Sequence, residues 1–199
     1  MGIMAKLTII RHGETEWSRS GRHTGRTDVP LTPAGEEQAR AAGKLVAGRT
    51  FGMVLTSPLG RARETAVLAG LPGAQDEPDL MEWDYGGYEG RRTDEIRASV
   101  PGWLVWKDPI VPGDAAHPGE QVGDVGVRVD RVLDRVRPVL AAGEDVVLVA
   151  HGHVLRILTA RWLGLPPVDG RMFALATAGV STLGHEREVP VVLGWNLGG

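Results

Sequence analysis

The sequence predicts an α/β fold: a mainly parallel central sheet with helices on both faces. Three observations carry that expectation. Strand-like and helix-like patterns alternate along the chain, as they do when parallel strands are joined by crossover helices. EDVVLVAHG (144–152) is a nearly continuous apolar run, which suits a strand covered on both faces. VGDVGVRVDRVLDRVRPVLAAG (122–143) instead places valines and leucines at helical spacing with charges between them, the mark of a helix with one buried face.

The remaining elements follow in chain order. KLTIIR (6–11) reads as a short buried strand. LTPAGEEQARAAGKLVAG (31–48) reads as a helix: Thr32 is the N-cap, Pro33 takes the first helical position, Glu36 and Glu37 lie where the helix dipole favours anions, and Gly48 ends it. FGMVLTS (51–57) is a second strand, followed by a helix over 59–69. DEPDLMEW (76–83) is a short extended segment entering the glycine-rich DYGGYEG. Residues 91–120 are weakly patterned. HVLRILTARWLGLPP (153–167) is a helix that stops near Gly164 and Pro166, and STLGHEREVPVVLGWN (181–196) closes the chain as a hairpin.

No repeat, low-complexity tract or linker divides the 199 residues, so one domain over 1–199 is expected. A hydrophobic fraction of 42% and a charged fraction of 24% are those of an ordinary globular protein. A net charge of −3 argues against a nucleic-acid partner, because no global positive field attracts phosphates. Without cysteine there are no disulfides and no thiolate metal sites. The apolar run in MGIMAKLTII is too short for a signal peptide, and no stretch is long enough to span a membrane. A cytoplasmic protein with no membrane partner is the expectation. Met4 is a second candidate start, which leaves Met1-Gly2-Ile3 as a cloning remnant or an alternative beginning.

Candidate chemistry gathers at strand ends. LTIIRHG and VVLVAHG repeat one device: a buried strand, a histidine, then a glycine. Ligands of open α/β sheets bind beyond the carboxyl ends of the strands, so His12 and His151 meet if their strands are neighbours. Gly13 and Gly152 then let backbone approach a ligand closely. In TSPLGRARET, Arg61 and Arg63 follow another strand at the start of a helix that Ser57 is placed to cap. Guanidinium groups grip phosphate through a rigid fork of donors. With Arg11 they point to phosphoryl chemistry, Arg63 reading rather as a solvated helix charge. An ester oxygen leaving phosphorus needs a proton, and Glu82, Glu89 and Glu14 are the candidate acids.

RHGETEW, LTPAGEEQA, SPLGRARETA, EWDYGGYEG and VLVAHG occur in that order, and with them the chain resembles the histidine phosphatase superfamily, also called phosphoglycerate mutase-like, over nearly its whole length. The resemblance implies a phosphoglycerate mutase-like three-layer sandwich. It implies His12 as the nucleophile that becomes phosphohistidine, Arg11, Arg61 and His151 as holders of the phosphoryl oxygens, and Glu82 as proton donor. His12 must attack unprotonated, which the nearby Arg11 and Arg61 charges favour, whereas His151 is expected to serve as a cation. No cofactor and no metal are implied. Activity is expected to be better below neutral pH.

The family divides by what accepts the phosphoryl group. Mutases similar to this chain carry longer basic insertions after the glutamate motif and usually Asn where this chain has Ser18. The short region after that motif and the HGH of 151–153 resemble broad-specificity phosphatases, including those acting on sugar phosphates, with water as acceptor. A small phosphorylated metabolite is the expected partner. A cofactor-dependent phosphoglycerate mutase and a non-catalytic phospholigand-binding protein are the alternatives. The resemblance places the loop of Arg22, His23, Thr24 and Gly25 at the substrate; Ser18 and Gly152 are further candidate contacts, and Tyr85 either lines the pocket or packs. Read from the residues alone, His23 is either such a contact or a solvent-exposed loop histidine. Trp17 either lines the pocket or packs, with packing favoured; His153 either touches substrate or, the favoured reading, caps its helix or supports His151; His117 and His185 are assigned to the surface. The C-terminal hairpin or an exposed tryptophan is a candidate homodimer interface.

Overall fold

The computed structural model describes residues 5–199, so the reading of Met1-Gly2-Ile3 lies outside the described residues. In chain order the elements are β1 (Leu7–Arg11), α1 (Glu16–Ser20), α2 (Pro33–Val46), β2 (Met53–Thr56), α3 (Gly60–Leu68), β3 (Gln75–Asp76), α4 (Thr93–Ser99), α5 (Val122–Ala141), β4 (Val146–Ala150), α6 (Gly152–Trp162), β5 (Val180–Glu186) and β6 (Val189–Leu197). One six-stranded sheet runs in the order β3-β2-β4-β1-β5-β6. The four strands from β3 to β1 are parallel, and β5 and β6 are antiparallel. The sheet is thus mainly parallel with a terminal hairpin on one edge.

Side-chain alternation sorts the core into two layers. Leu7 and Ile9 of β1 and Val146 and Leu148 of β4 pack with α5 and α6. Ile10, Val147 and Val149 pack with α2 and α3 on the other face. A strand pressed on both sides has no solvent face, which is why β4 is apolar throughout. Each such fully buried valine or leucine contributes roughly 1.5–3 kcal/mol.

Helix α2 begins as the sequence implies, with Thr32 Oγ1 accepting from the Gly35 N–H at 3.0 Å and Pro33 in the first turn. Gly13 and Gly35 bring its start against the loop after β1, since a Cβ on either would collide with the other segment's backbone. Two short helices were not expected. Helix α1 spans five residues and is set by a capping box between Thr15 and Ser18, too short to show a period. Helix α4 buries only Ile96 and so has no apolar stripe. The extended segment expected over 76–83 is strand only at Asp76 and then turns through a 3₁₀ helix at Pro78–Leu80.

Candidate active site

Parallel pairing of β1 with β4 puts Arg11 opposite Ala150, and the His12 N–H donates to the Ala150 carbonyl at 2.9 Å. The residues following both strands therefore stand side by side. The His12 and His151 rings lie 5.1 Å apart, centroid to centroid, and both are buried. His12 Nδ1–H donates to its neighbour's carbonyl, Gly13 O, at 2.7 Å. That bond fixes the tautomer and leaves Nε2 with its lone pair. Burial, followed by the Arg61 and Arg11 charges, holds the His12 pKa well below 6.5, against the Gly13 hydrogen bond, which raises it. The ring is a neutral base.

Arg61, from the first turn of α3, is fully buried. Its Nε donates to His151 Nδ1 at 3.1 Å, its Nη1 to the Thr27 carbonyl at 2.8 Å and its Nη2 to the Gly25 carbonyl at 2.9 Å. Accepting on Nδ1 leaves His151 to donate from Nε2, which it does to Ser57 Oγ at 2.7 Å. The expected cationic His151 is corrected here: burial and the Arg61 charge push its pKa well below 6.5. Ser57 also takes a different place, because α3 has no side-chain cap and the hydroxyl serves His151 and the Leu59 N–H instead. Arg63 pairs with Asp76 at the surface, as a helix-face charge should.

Arg11 carries the anomaly of the site. Its Nη1 donates to the Leu175 carbonyl at 2.6 Å, while its buried Nε has no partner. Gly152 lies against it, and a Cβ there would come within 3.3 Å of that nitrogen. An unpaired buried N–H beside an open cavity is a donor waiting for an acceptor.

Glu82 sits at the start of α6. Its Oε1 accepts from the Trp83 and Val154 N–H groups, both at 2.9 Å, and its Oε2 from the His153 N–H at 3.0 Å. The segment that carries it is clamped by Arg128 of α5, which donates to the Asp79 and Met81 carbonyls at 2.6 Å and to the Glu82 carbonyl at 3.1 Å. Glu120 anchors Arg128 from behind at 2.8 Å. The competing carboxylates are committed elsewhere. Glu89 accepts from the Gly25 and Thr27 N–H groups, and Glu14 from the Thr32 hydroxyl.

A cavity of about 210 Å³ opens on Arg11, His12 and Glu82. Ser18, Arg22, His23, Thr24, Tyr85 and Gly152 line it. Gly25 does not: it is buried, and its N–H and carbonyl tie Glu89 and Arg61 into the loop. Arg61 and His151 do not line it either, standing behind His12 with their donors engaged. His153 faces the cavity and is hydrogen-bonded through Nδ1 to the Tyr85 hydroxyl, not to His151. Leu175 and Arg156 complete the wall. Arg156 is one helical turn beyond Gly152, a spacing that puts both residues on one face of α6 and was the available signal. Leu175 left no signal in the sequence. Trp17 packs on Gly90.

Among the described residues no group of three or more histidines, acids or cysteines is placed to hold a metal ion, and no helix is long and apolar enough to cross a membrane.

Residues 7–198 match the model of the histidine phosphatase superfamily, branch 1. The chain is 41% identical over 186 residues to an acid phosphatase of Mycobacterium tuberculosis, covering 92% of this chain and 88% of that protein. It is 35% identical to a sedoheptulose 1,7-bisphosphatase of Saccharomyces cerevisiae over 82% of this chain and 69% of that one. A probable phosphoglycerate mutase of Photorhabdus laumondii is 32% identical over 96% of this chain and 90% of its own length. The solved structure of an open reading frame of Mycobacterium tuberculosis superposes with a TM-score of 0.89 at 40% identity, covering 98% and 99% of the two chains. The paired strand-end histidines and the arginines around them are thus found on a chain that belongs to the histidine phosphatase superfamily, as a phosphoric monoester hydrolase.

Proposed function

We propose that this chain hydrolyses small cytoplasmic phosphorylated metabolites through a phosphohistidine on His12, the whole chain acting as one catalytic unit. The observation that carries the reading is the neutral, buried His12 ring, held by Gly13 with Nε2 free beside the unpartnered Nε of Arg11. Nε2 attacks phosphorus in line. The bond to the ester oxygen breaks, and that oxygen takes a proton from Glu82. Glu82, now a carboxylate, deprotonates a water whose oxygen attacks phosphorus from the opposite side. The N–P bond breaks, phosphate leaves, and Glu82 again holds a proton.

Arg11 donates to the equatorial oxygens, where charge spreads in a loose transition state. Arg61 and His151 act from one layer back. Arg61 keeps its charge close and pins the loop 24–27 through its carbonyls, while His151 fixes Arg61. The reacting form needs His12 without a proton and Glu82 with one. Because His12 resists protonation down to well below pH 6.5, the nucleophile stays available and kcat/KM holds up on the acid side. A rate that climbs steadily from about pH 5 to about pH 9 overturns the reading of His12 as a ring already free of its proton in mild acid.

The deciding experiment is a panel of phosphate monoesters assayed with the wild type and with His12→Ala. Turnover should fall by at least about 10³-fold, and acid-labile, base-stable phosphate should be trapped on the wild type alone. Full turnover by His12→Ala overturns the mechanism. Interconversion of phosphoglycerates faster than hydrolysis would favour the mutase reading instead.

A further inference from the structure

Arg61 is a buried charge whose direct partners are all neutral. Its Nε meets His151 Nδ1, its Nη1 the Thr27 carbonyl, and its Nη2 the Gly25 and Thr24 carbonyls at 2.9 and 3.4 Å. Among the described residues the only carboxylate in ion-pair range is Asp28, 3.8 Å from Nη1. That side chain is half-exposed, so water screens it and its contribution is small. A buried cation without a counter-ion is costly, and something else has to offset it.

Glu89 does so through the backbone. The loop that accepts from Arg61 donates to this carboxylate: the Gly25 N–H reaches Oε1 at 2.9 Å and Oε2 at 3.1 Å, and the Thr27 N–H reaches Oε1 at 3.1 Å. Loop 24–27 therefore stands between the two charges, with N–H groups on the anion and carbonyls on the cation. Hydrogen bonds linked in this way polarise and strengthen one another. Burial lowers the Arg61 pKa, and the charges of Glu82, Asp28 and Glu89 oppose that. The close approach also dictates the residue at 25, where a Cβ would come within 2.6 Å of Glu89 Oε2. Two backbone bonds strap the segment after Glu89 to the start of the loop, from the Gly90 N–H to the His23 carbonyl at 2.8 Å and from the His23 N–H to the Arg91 carbonyl at 2.9 Å. Glu89 itself does not line the cavity.

We propose that Glu89 is a positioning residue for the reaction: through the peptide groups of loop 24–27 it holds Arg61 in the one orientation that aims Nε–H at His151 Nδ1. Arg61 so held keeps the His151 proton on Nε2, where Ser57 accepts it, and keeps a cation close behind His12. Glu89 touches neither substrate nor a reacting atom. The inference rests on the phosphatase reading for its kinetic test but not for its spectroscopic test.

Glu89→Gln keeps the size, removes the charge and turns a donor toward the loop N–H groups. With p-nitrophenyl phosphate and with an alkyl phosphate alike, kcat should fall about tenfold while KM changes less than about threefold. Glu89→Asp should restore part of the loss. In an Arg61→Gln background Glu89→Gln should cost less than about twofold, because no guanidinium is left to hold and the two losses do not add. Nitrogen-15 spectra of the imidazoles read the same link without turnover. The wild type should show His151 unprotonated at Nδ1 and protonated at Nε2, and Glu89→Gln should move the two signals toward each other as the tautomers mix. If Glu89→Gln does not fold, Glu89→Asp carries the same readouts at reduced size. An unmoved His151 signal, or a loss in the Arg61→Gln background equal to that in the wild type, overturns the positioning role. A mixed tautomer in the variant of a protein that hydrolyses no phosphate ester sinks the phosphatase reading and keeps the role of Glu89.

Discussion

The deep side and the open side of the cavity are held in opposite ways. On the deep side His12, Arg61 and His151 come from the ends of β1, β4 and the start of α3, and their ring and guanidinium nitrogens lean on fixed neighbours: Gly13, Thr27, Gly25, Ser57 and one another. Sheet register alone brings the two histidines together. On the open side Arg22, His23, Tyr85, His153 and Arg156 come from a loop, a 3₁₀ turn and a helix, and they meet mainly ring on ring, as His23 does with Tyr85 at 4.9 Å and Trp103 at 5.4 Å. The difference separates two duties. A reaction needs one geometry, which backbone pairing supplies; a choice among substrates needs a surface that substitutions can reshape without moving the nucleophile.

Glu82 belongs to neither side, and replacing it tests where the boundary lies. Glu82→Gln keeps the size but loses the transferable proton and turns an N–H donor toward backbone that now donates to the carboxylate. With an alkyl phosphate, kcat should fall by about 10²–10³-fold. With p-nitrophenyl phosphate, whose leaving group needs little protonation, the first step survives and the water step fails. A burst of about one nitrophenolate per active site should then appear in a stopped-flow trace. An equal loss on both substrates without a burst would place Glu82 with Glu89, among the carboxylates that act without touching substrate.

The deep side was legible in the sequence and much of the open side was not. His12, His151 and their glycines stood out because the same strand-histidine-glycine device occurs twice, and Arg61 because it follows a third strand end. Their burial and neutral ring chemistry needed coordinates: nothing in RHG or AHG says that Arg61 points its Nε at His151 and so forbids that ring to be a cation. Gly25 was misplaced for the same reason. A glycine in a polar loop looks available to substrate, yet here a Cβ would strike the Trp83 carbonyl at 2.5 Å, so its absence serves packing. His153, Arg156 and Leu175 are drawn from α6 and the segment beyond it by the turn of the helix and a long-range loop, which strand-end patterns do not encode.

Arg128 connects the two sides, which makes a smaller disturbance informative. The side chain is buried and holds the segment before Glu82 by three carbonyls, with Glu120 as its counter-ion. Arg128→Lys keeps the charge and loses the fork, so the carboxyl group of Glu82 is no longer held to the same position. The expected result is a loss of about tenfold in kcat on alkyl phosphates and a much smaller loss on p-nitrophenyl phosphate. That is the leaving-group signature of Glu82→Gln at reduced size. A uniform loss on both would make Arg128 a stabilising residue only.

The smallest effect concerns His23, and it bears on stability rather than rate. Its pKa is lowered from 6.5 to about 4 by burial among Tyr85, Trp103 and His153. The unfolded chain takes up a proton there as pH drops below 6.5, while the folded chain does not until about 4. The folded state therefore binds fewer protons across that window, and stability is lost as pH falls through it. His23→Phe keeps a ring on the same neighbours and removes the titration. Urea denaturation at about pH 7 and about pH 4.5 should show the wild type losing about 2 kcal/mol more than the variant between the two conditions. His12, His151 and His153, whose pKa values are lowered as well, are common to both proteins and cancel in the difference. If the two proteins lose the same amount, His23 is hydrated and protonates freely, and the open side of the cavity is wetter and more positive in acid than its packing implies.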